Sequence, residues 1–188
     1  FVIGRRAVLA ALLLSFVLFV ATHAYAKGVY QTGPEFIAET FSPVEGSEQA
    51  EAKSLWLTPE LKQAGGEILD RKLNGLRVRY WQSGKKTAWI LDEIGKELPI
   101  TIGVVINDSQ VERVKILAFR ESRGGEVRYP AFTEQYRQTK LTDNHQLDSH
   151  IDGITGATLS VRAVNKVVRL ALFFHQQVYK QAIDDATR

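Results

Sequence analysis

The sequence predicts an α+β fold, with a small antiparallel sheet and helices packed on one of its faces. Three observations support this prediction. Short apolar runs between residues 76 and 119 are separated by turn residues, which is typical of antiparallel hairpins. After residue 160, apolar residues recur at helical spacing over a long stretch. Near the start, an uncharged apolar segment predicts an N-terminal export or anchor helix.

The composition is that of one globular domain with an appendage, and it excludes several function classes. The 188 residues include no cysteine, so disulfides, thiolate metal sites and iron–sulfur clusters are excluded. The four histidines show no metal-ligand spacing, and we predict neither metal ligands nor catalytic residues. Two of the 24 basic residues, Arg5 and Arg6, lie in the leader, and the others nearly balance 21 acidic residues. This balance argues against nucleic acid as a partner.

Residues 1–26 are predicted to be either a signal peptide or a membrane-anchor helix. Arg5 and Arg6 precede an apolar stretch over residues 7–26, which at about 20 residues just suffices to span a bilayer. The alternative is cleavage, because Ala24-Tyr25-Ala26 fits a small-x-small site. Both interpretations place the rest of the chain outside the cytoplasm. We expect the anchor to be retained, with the domain on the periplasmic or extracytoplasmic face of the cytoplasmic membrane.

Residues 27–50 are rich in Gly, Pro, Ser and Glu, and they predict a tether with one short helix at 34–41. A second helix is predicted to start at Thr58, where a capping threonine precedes a proline and an acidic residue. This helix is expected to reach Lys72, with Gly65-Gly66 weakening its middle.

Four strands follow as two predicted hairpins. The predicted strands cover residues 76–81, 87–91, 100–106 and 111–119. Turn residues separate the strands within each hairpin. Residues 51–94 thus supply a helix and a hairpin to the N-terminal part of the domain, and residues 95–188 form its core.

Three further elements complete the predicted core. A charged loop at 120–126 contains two glycines, and a short helix is expected at 130–137. A polar loop at 141–150 then leads to the final helix, which is predicted over residues 160–184. Apolar residues in this helix recur with basic residues between them, which is typical of a helix packed on a sheet.

Residues 152–160 read Asp-Gly-Ile-Thr-Gly-Ala-Thr-Leu-Ser, and they predict a phosphate-binding loop. A bare loop that runs into a helix N-terminus is favourable for an anion. Gly156 and Ala157 leave the backbone uncovered, and Thr158 presents a hydroxyl at that spot. A lone threonine here would be explained as a helix cap, but a cap requires neither Asp152 nor the two small residues.

This segment resembles the attachment signature of the FMN-binding domain family, in which a separate transferase esterifies a threonine hydroxyl with the phosphate of FMN. The pattern is Asp, two variable residues, Ser or Thr, Gly, Ala, Thr, and it is matched by Asp152, Thr155, Gly156, Ala157 and Thr158. The resemblance implies covalent FMN on Thr158 and a flavin transferase as the maturation partner.

The resemblance covers about residues 95–180. It includes the strand at 100–106 and the Glu- and Gly-containing loop that follows the next strand. The same domain occurs within two larger redox assemblies, the sodium-pumping NADH:quinone reductase and the Rnf electron-transport complex. Arg123 stands where the domains of those assemblies often have proline, so this chain is more similar to stand-alone exported FMN-binding proteins.

The resemblance implies a set of cofactor-binding residues. These are Thr158, Thr155, Gly156, Ala157, Asp152, Gly153, Leu159, Ser160, Glu121, Gly124 and Gly125. Thr155 is expected to contact the flavin or its phosphate. For Asp152, orienting the segment or binding the transferase metal competes with capping a turn through Gly153. The loop that contains Glu121 equally fits a solvated hairpin loop. Four aromatic residues either stack on the flavin or belong to the core: Trp56, Trp81, Trp89 and Tyr129.

The function expected from the resemblance is electron transfer by a covalent flavoprotein. FMN would relay electrons between a membrane donor and another membrane or soluble redox partner protein. One alternative is the flavin-bearing component of a reductase that acts on a small external substrate. Another is a binding or assembly module without flavin. An electron carrier is favoured over a stand-alone enzyme because the exported part is only about as long as the flavin domain needs.

Overall fold

A computed structural model describes residues 28–42 and 49–186 of the chain. These residues form an α+β fold around one five-stranded antiparallel sheet, in which neighbouring strands are consecutive in sequence. The signal or anchor predicted for residues 1–26 lies outside the described residues. Within the two described ranges, no helix is both long and apolar enough to cross a membrane.

The predicted antiparallel α+β class is confirmed, and all four predicted strands are present. The strands are β1 (Glu51–Trp56), β2 (Arg77–Ser83), β3 (Lys86–Ile94), β4 (Pro99–Asn107) and β5 (Gln110–Phe119). The helices are α1 (Gly33–Thr40), α2 (Pro59–Leu69), α3 (Pro130–Thr133) and α4 (Thr158–Ala186), with 3-10 turns at Gly125–Arg128 and Glu134–Tyr136. Strand β1 was not predicted, because five of its six side chains are exposed and no apolar alternation marks it.

The main core lies between the sheet and α4. Trp89 of β3 is fully buried, and its ring centroid lies 5.6 Å from that of Phe174 on α4. Helix α2 packs on α4 through Gly65, where a Cβ would lie 2.6 Å from a Leu73 methyl and 3.2 Å from one of Leu170. The glycine that weakens α2 thus allows the two helices to approach closely.

The prediction that helices pack on only one face of the sheet is wrong. Helix α1 covers the opposite face, where Phe36 is fully buried against apolar side chains of three strands: Ala88, Val105 and Leu117. A Cβ at Gly103 would lie 2.6 Å from the Phe36 ring, so this glycine makes room for it. The central strands are apolar on both faces and therefore need cover on both.

The segment that precedes α1 protects the outer edge of β5. The Gly28 carbonyl accepts a hydrogen bond from the Phe119 amide at 2.7 Å, and the amides of Tyr30 and Gln31 donate to the Leu117 carbonyl. Gly28 has φ +92°, and a Cβ there would lie 2.3 Å from the Phe119 oxygen. The chain therefore joins the sheet next to the point where β5 ends.

Glu39 ties α1 to β5, and replacing it by glutamine is expected to loosen this contact. Its carboxylate contacts the Arg113 guanidinium at 2.6 Å and the Lys115 ammonium at 2.9 Å. Hydrogen bonds from Lys115 and Gln31 lower the pKa of Glu39 to about 2. The ionised Glu39 carboxylate therefore stabilises the fold. This stabilisation is fully present above pH 4.5 and is lost as the pH falls towards 2.

Because Glu39 is partly exposed, we expect Glu39→Gln to reduce the free energy of unfolding by only about 1 kcal/mol at pH 7. Urea denaturation measures this change. The matched control is Glu51→Gln, which removes an exposed carboxylate that lies 3.3 Å from the ammonium of exposed Lys53. An equal loss in both variants would contradict the role of Glu39.

Candidate functional site

The loop before α4 is held by three inward-facing residues and exposes the residues between them. Ile151 and Ala157 are buried, and Ile154 packs on the core. The Ala157 amide donates to the Ile154 carbonyl at 3.0 Å, which closes a turn. Gly156 lies in this turn with φ +82°, a conformation that favours glycine. The loop therefore reaches α4 in a fixed conformation with its polar side chains in solvent.

Thr158 is the first residue of α4, and its side chain is exposed. The Ala157 carbonyl accepts the first hydrogen bond of the helix, from Val161 at 2.9 Å. Within residues 28–42 and 49–186, the amides of Thr158, Leu159 and Ser160 have no acceptor. Free amides and the positive end of the helix dipole favour an anion beside the Thr158 hydroxyl.

The loop after β5 packs directly against the start of α4. Gly124 has φ +86°, and a Cβ there would lie 2.5 Å from the Ser160 hydroxyl and 3.5 Å from the Ala157 methyl. A side chain at position 124 would therefore push the loop away from the helix. This contact brings the predicted Gly-rich loop next to Thr158.

Glu121 connects the same loop to the turn between β3 and β4. One carboxylate oxygen accepts hydrogen bonds from three successive amides, those of residues 96, 97 and 98, at 2.5, 2.6 and 2.9 Å. A Cβ at Gly95 would lie 3.0 Å from that oxygen, so the glycine leaves room for it. Desolvation raises the pKa of Glu121, but the three amides and the Lys96 charge outweigh it, and the pKa is lowered.

Between these segments lies an open cleft of about 290 Å³. Its lining consists of Lys96, Glu121, Arg123, Gly156, Ala157, Thr158, Leu159 and Ser160. The Lys96 ammonium is 3.3 Å from the Glu97 carboxylate, and both side chains are largely exposed. Arg123 has no ion-pair or hydrogen-bond partner in the part of the chain that the structure describes. The cleft therefore combines two cations, three free amides, one carboxylate and the hydroxyl residues Thr158 and Ser160.

Six of the eleven predicted site residues line this cleft: Glu121, Gly156, Ala157, Thr158, Leu159 and Ser160. Gly124 supports the wall from behind, through its contact with Ser160. Four lie outside the lining: Asp152, Gly153, Thr155 and Gly125. The Asp152 carboxylate is exposed and lies 3.5 Å from the His150 ring, and its amide donates to Gln135. In the described structure, this carboxylate accepts no hydrogen bond from the backbone of the Gly153 turn.

Sequence reasoning missed Lys96 and Arg123 as residues of the cleft. Both are exposed cations in short turns, and no spacing rule connects the two turns. The one signal that the sequence offered is that each of these cations stands next to a glycine.

None of the four aromatic candidates for flavin stacking lines the cleft. Trp89 is a core residue, stacked on Tyr80 with ring centroids 4.8 Å apart, and it donates to the Thr87 hydroxyl. Trp81 packs with the Phe36 cluster. Trp56 and Tyr129 are exposed, and each ring carries a neighbouring arginine guanidinium over it.

The residues of the cleft fit the phosphate of FMN. Cations and free amides are donors that match a phosphate group, and the described residues include no His, Asp or Glu cluster that fits a metal ion. The position of a Gly156 Cβ has nothing within 4 Å, so this side of the loop is open to a bulky group.

Comparison with known families also indicates FMN as the cofactor. Residues 95–172 match the FMN-binding domain family, whereas no curated protein matches the chain. The matched range contains both walls of the cleft, since it includes Lys96, the loop after β5 and the start of α4. Such a domain suggests a role in flavin-linked electron transfer. Residues 95–172 of this chain are therefore an FMN-binding domain, with Thr158 at the edge of its cleft.

Proposed function

We propose that this chain is an extracytoplasmic electron-transfer flavoprotein that carries FMN covalently, through its phosphate, on Thr158. The observation that supports this most directly is the position of the Thr158 hydroxyl. It is exposed at an uncapped helix N-terminus, in a cleft that contains Lys96 and Arg123. When bound, FMN accepts one or two electrons and can therefore connect two-electron donors to one-electron acceptors.

Attachment requires an external enzyme, because the described residues around Thr158 offer no base to activate it. Among the described residues, no histidine lines the cleft. The Glu121 carboxylate has a lowered pKa and accepts three amide hydrogen bonds, which makes it a weak base. A threonine hydroxyl needs such activation at neutral pH. The exposed loop at 152–156 gives a flavin transferase access to this hydroxyl.

The attachment step uses a flavin phosphoanhydride, such as FAD, as the donor. The Thr158 oxygen forms a bond to the FMN phosphorus, and the anhydride bond to the leaving nucleotide breaks. The hydroxyl proton passes to a base of the transferase. The product is a phosphodiester with one negative charge, which the free amides of α4 and its dipole stabilise.

The location outside the cytoplasm is proposed from the sequence of residues 1–26. Arg5 and Arg6 before the apolar segment orient the following domain outward. We propose that residues 7–26 hold the domain at the membrane, beside a membrane donor and a second redox partner protein. Among the described lining residues, the one carboxylate, Glu121, is engaged with three amides, which favours an electron carrier over a reductase component.

Intact mass after coexpression with a flavin transferase tests covalent attachment. We expect the full chain to gain the mass of one FMN less water, with flavin fluorescence that survives denaturation. Thr158→Ala should abolish both signals completely. Ser149→Ala, which removes an exposed hydroxyl outside both the attachment pattern and the cleft lining, serves as the matched control and should retain them.

Two results would contradict the proposal. One is the same mass gain in Thr158→Ala, which would place the flavin elsewhere. The other is no mass gain in the wild-type chain while the transferase modifies a second, known target. That result would favour the binding or assembly module without covalent flavin.

A further inference from the structure

Arg123 and Lys96 lie on two separate turns that the fold fixes relative to each other and to Thr158. The Glu121 carboxylate holds the amides of residues 96–98, so the Lys96 backbone is attached to the loop that contains Arg123. Gly124, the next residue of that loop, packs on Ser160 and Ala157. Both cations are therefore carried by backbone that is positioned against the start of α4.

The positive charges of this cleft are only weakly compensated within the described chain. Glu121 is the one acidic residue of its lining, and its carboxylate is engaged with the three amides. The pair between Lys96 and Glu97 is exposed, and such pairs contribute little. Arg123 pairs with no acidic side chain in the described structure. Two cations and a helix N-terminus thus face one space whose one carboxylate, that of Glu121, is engaged with backbone amides.

We infer that Arg123, together with Lys96, clamps the phosphate of the flavin attached at Thr158 and so holds the flavin against the cleft. This inference rests on the proposed function, because the covalent bond places the phosphate beside the Thr158 oxygen. Arginine suits the role because its planar guanidinium forms two parallel hydrogen bonds to a phosphate. Lys96 adds a compact charge from the turn between β3 and β4. Both are positioning residues.

Flavin mobility and protein stability test the clamp on flavinylated full chain. The variants are Arg123→Gln and Lys96→Gln, with Arg79→Gln as a control that removes an exposed cation outside the cleft lining. We expect the fluorescence anisotropy of the attached flavin to fall in both cleft variants and not in the control. The rise in melting temperature that flavinylation gives should shrink by about 2–4 °C in Arg123→Gln.

Unchanged anisotropy and an unchanged temperature rise in Arg123→Gln, with one flavin attached per chain, would overturn the clamp. They would leave covalent attachment itself intact. If the wild-type chain is not flavinylated, the proposed function fails first, and the clamp needs a test that does not depend on flavin.

A double-mutant cycle without flavin supplies that test. Thr158→Asp places a carboxylate where the phosphate would be attached, and the cycle combines it with Arg123→Gln. Because the helix dipole acts equally in both arms, the cycle isolates the coupling to Arg123. We expect Arg123→Gln to lower the melting temperature by about 2 °C more in the Thr158→Asp background than in the wild type. Strictly additive effects would show that Arg123 does not contact an anion at this position.

Discussion

Replacing Gly124 by alanine is expected to lower the free energy of unfolding by about 3 kcal/mol and to displace the loop that forms one wall of the cleft. Two causes add. Its φ of +86° costs an alanine about 1–2 kcal/mol. The new Cβ would also lie 2.5 Å from the Ser160 hydroxyl, and such overpacking costs about 1–3 kcal/mol. Denaturant unfolding followed by tryptophan fluorescence measures the loss.

The neighbouring glycine provides a matched control. A Cβ at Gly125 would lie 3.5 Å from the Phe119 ring, which is an ordinary contact. The free energy of unfolding of Gly125→Ala should therefore be close to that of the wild type. The double variant Gly124→Ala/Ser160→Ala removes the hydroxyl clash and should recover part of the loss. Equal losses in the two alanine variants would show that Gly124 has no special role.

Acid is expected to destabilise the fold through His175, by about 3 kcal/mol between pH 7 and pH 4. His175 of α4 is buried, its Nδ1 lies 2.8 Å from the Thr87 hydroxyl, and its ring packs on Tyr179. Burial lowers its pKa from 6.5 to about 4, although the charge of Asp108 opposes the shift. Each unit by which folding shifts a pKa changes the free energy of unfolding by up to about 1.4 kcal/mol.

The direction of this pH effect follows from the lowered pKa. The unfolded chain binds a proton at His175 near pH 6.5, whereas the folded chain binds it only near pH 4. The stabilisation is therefore complete above pH 6.5 and is lost as the pH falls towards 4. His175→Asn keeps a polar group near Thr87 without titrating, so its free energy of unfolding should vary less over this window. If the free energy of unfolding changed equally with pH in His175→Asn and in the wild type, the prediction would be contradicted.

Most of the sheet could be predicted from sequence because its strands carry strong local patterns. Strand β4 is almost continuously apolar, and each hairpin has turn residues between its strands. Strand β1 has no such pattern, since Leu55 is its one buried residue and pairing with β2 alone defines it. The second helix layer was missed because Phe36 makes its contacts with strands that lie far along the chain.

The candidate site was predictable where it is contiguous in sequence. Residues 156–160 follow one another, and a short motif identifies them. Lys96 and Arg123 join them through long-range contacts, namely the acceptor role of Glu121 and the packing of Gly124 on Ser160. Neither contact has a periodic signature, and an exposed cation is ordinary in any turn. The walls of a cleft are for this reason harder to predict than its motif.

If residues 7–26 anchor the chain as proposed, the pairing of Gly28 with the end of β5 limits how far the cleft can lie from the bilayer. Gly28 follows Ala26, the last residue of the proposed anchor, by two positions, which span at most about 7 Å. Glu121 follows the paired Phe119 by two residues. With residues 7–26 retained in the membrane, the loop at the cleft would sit at the lipid headgroups. Electrons from a donor embedded in the bilayer would then reach the proposed flavin over a short tunnelling distance, without a large movement of the domain.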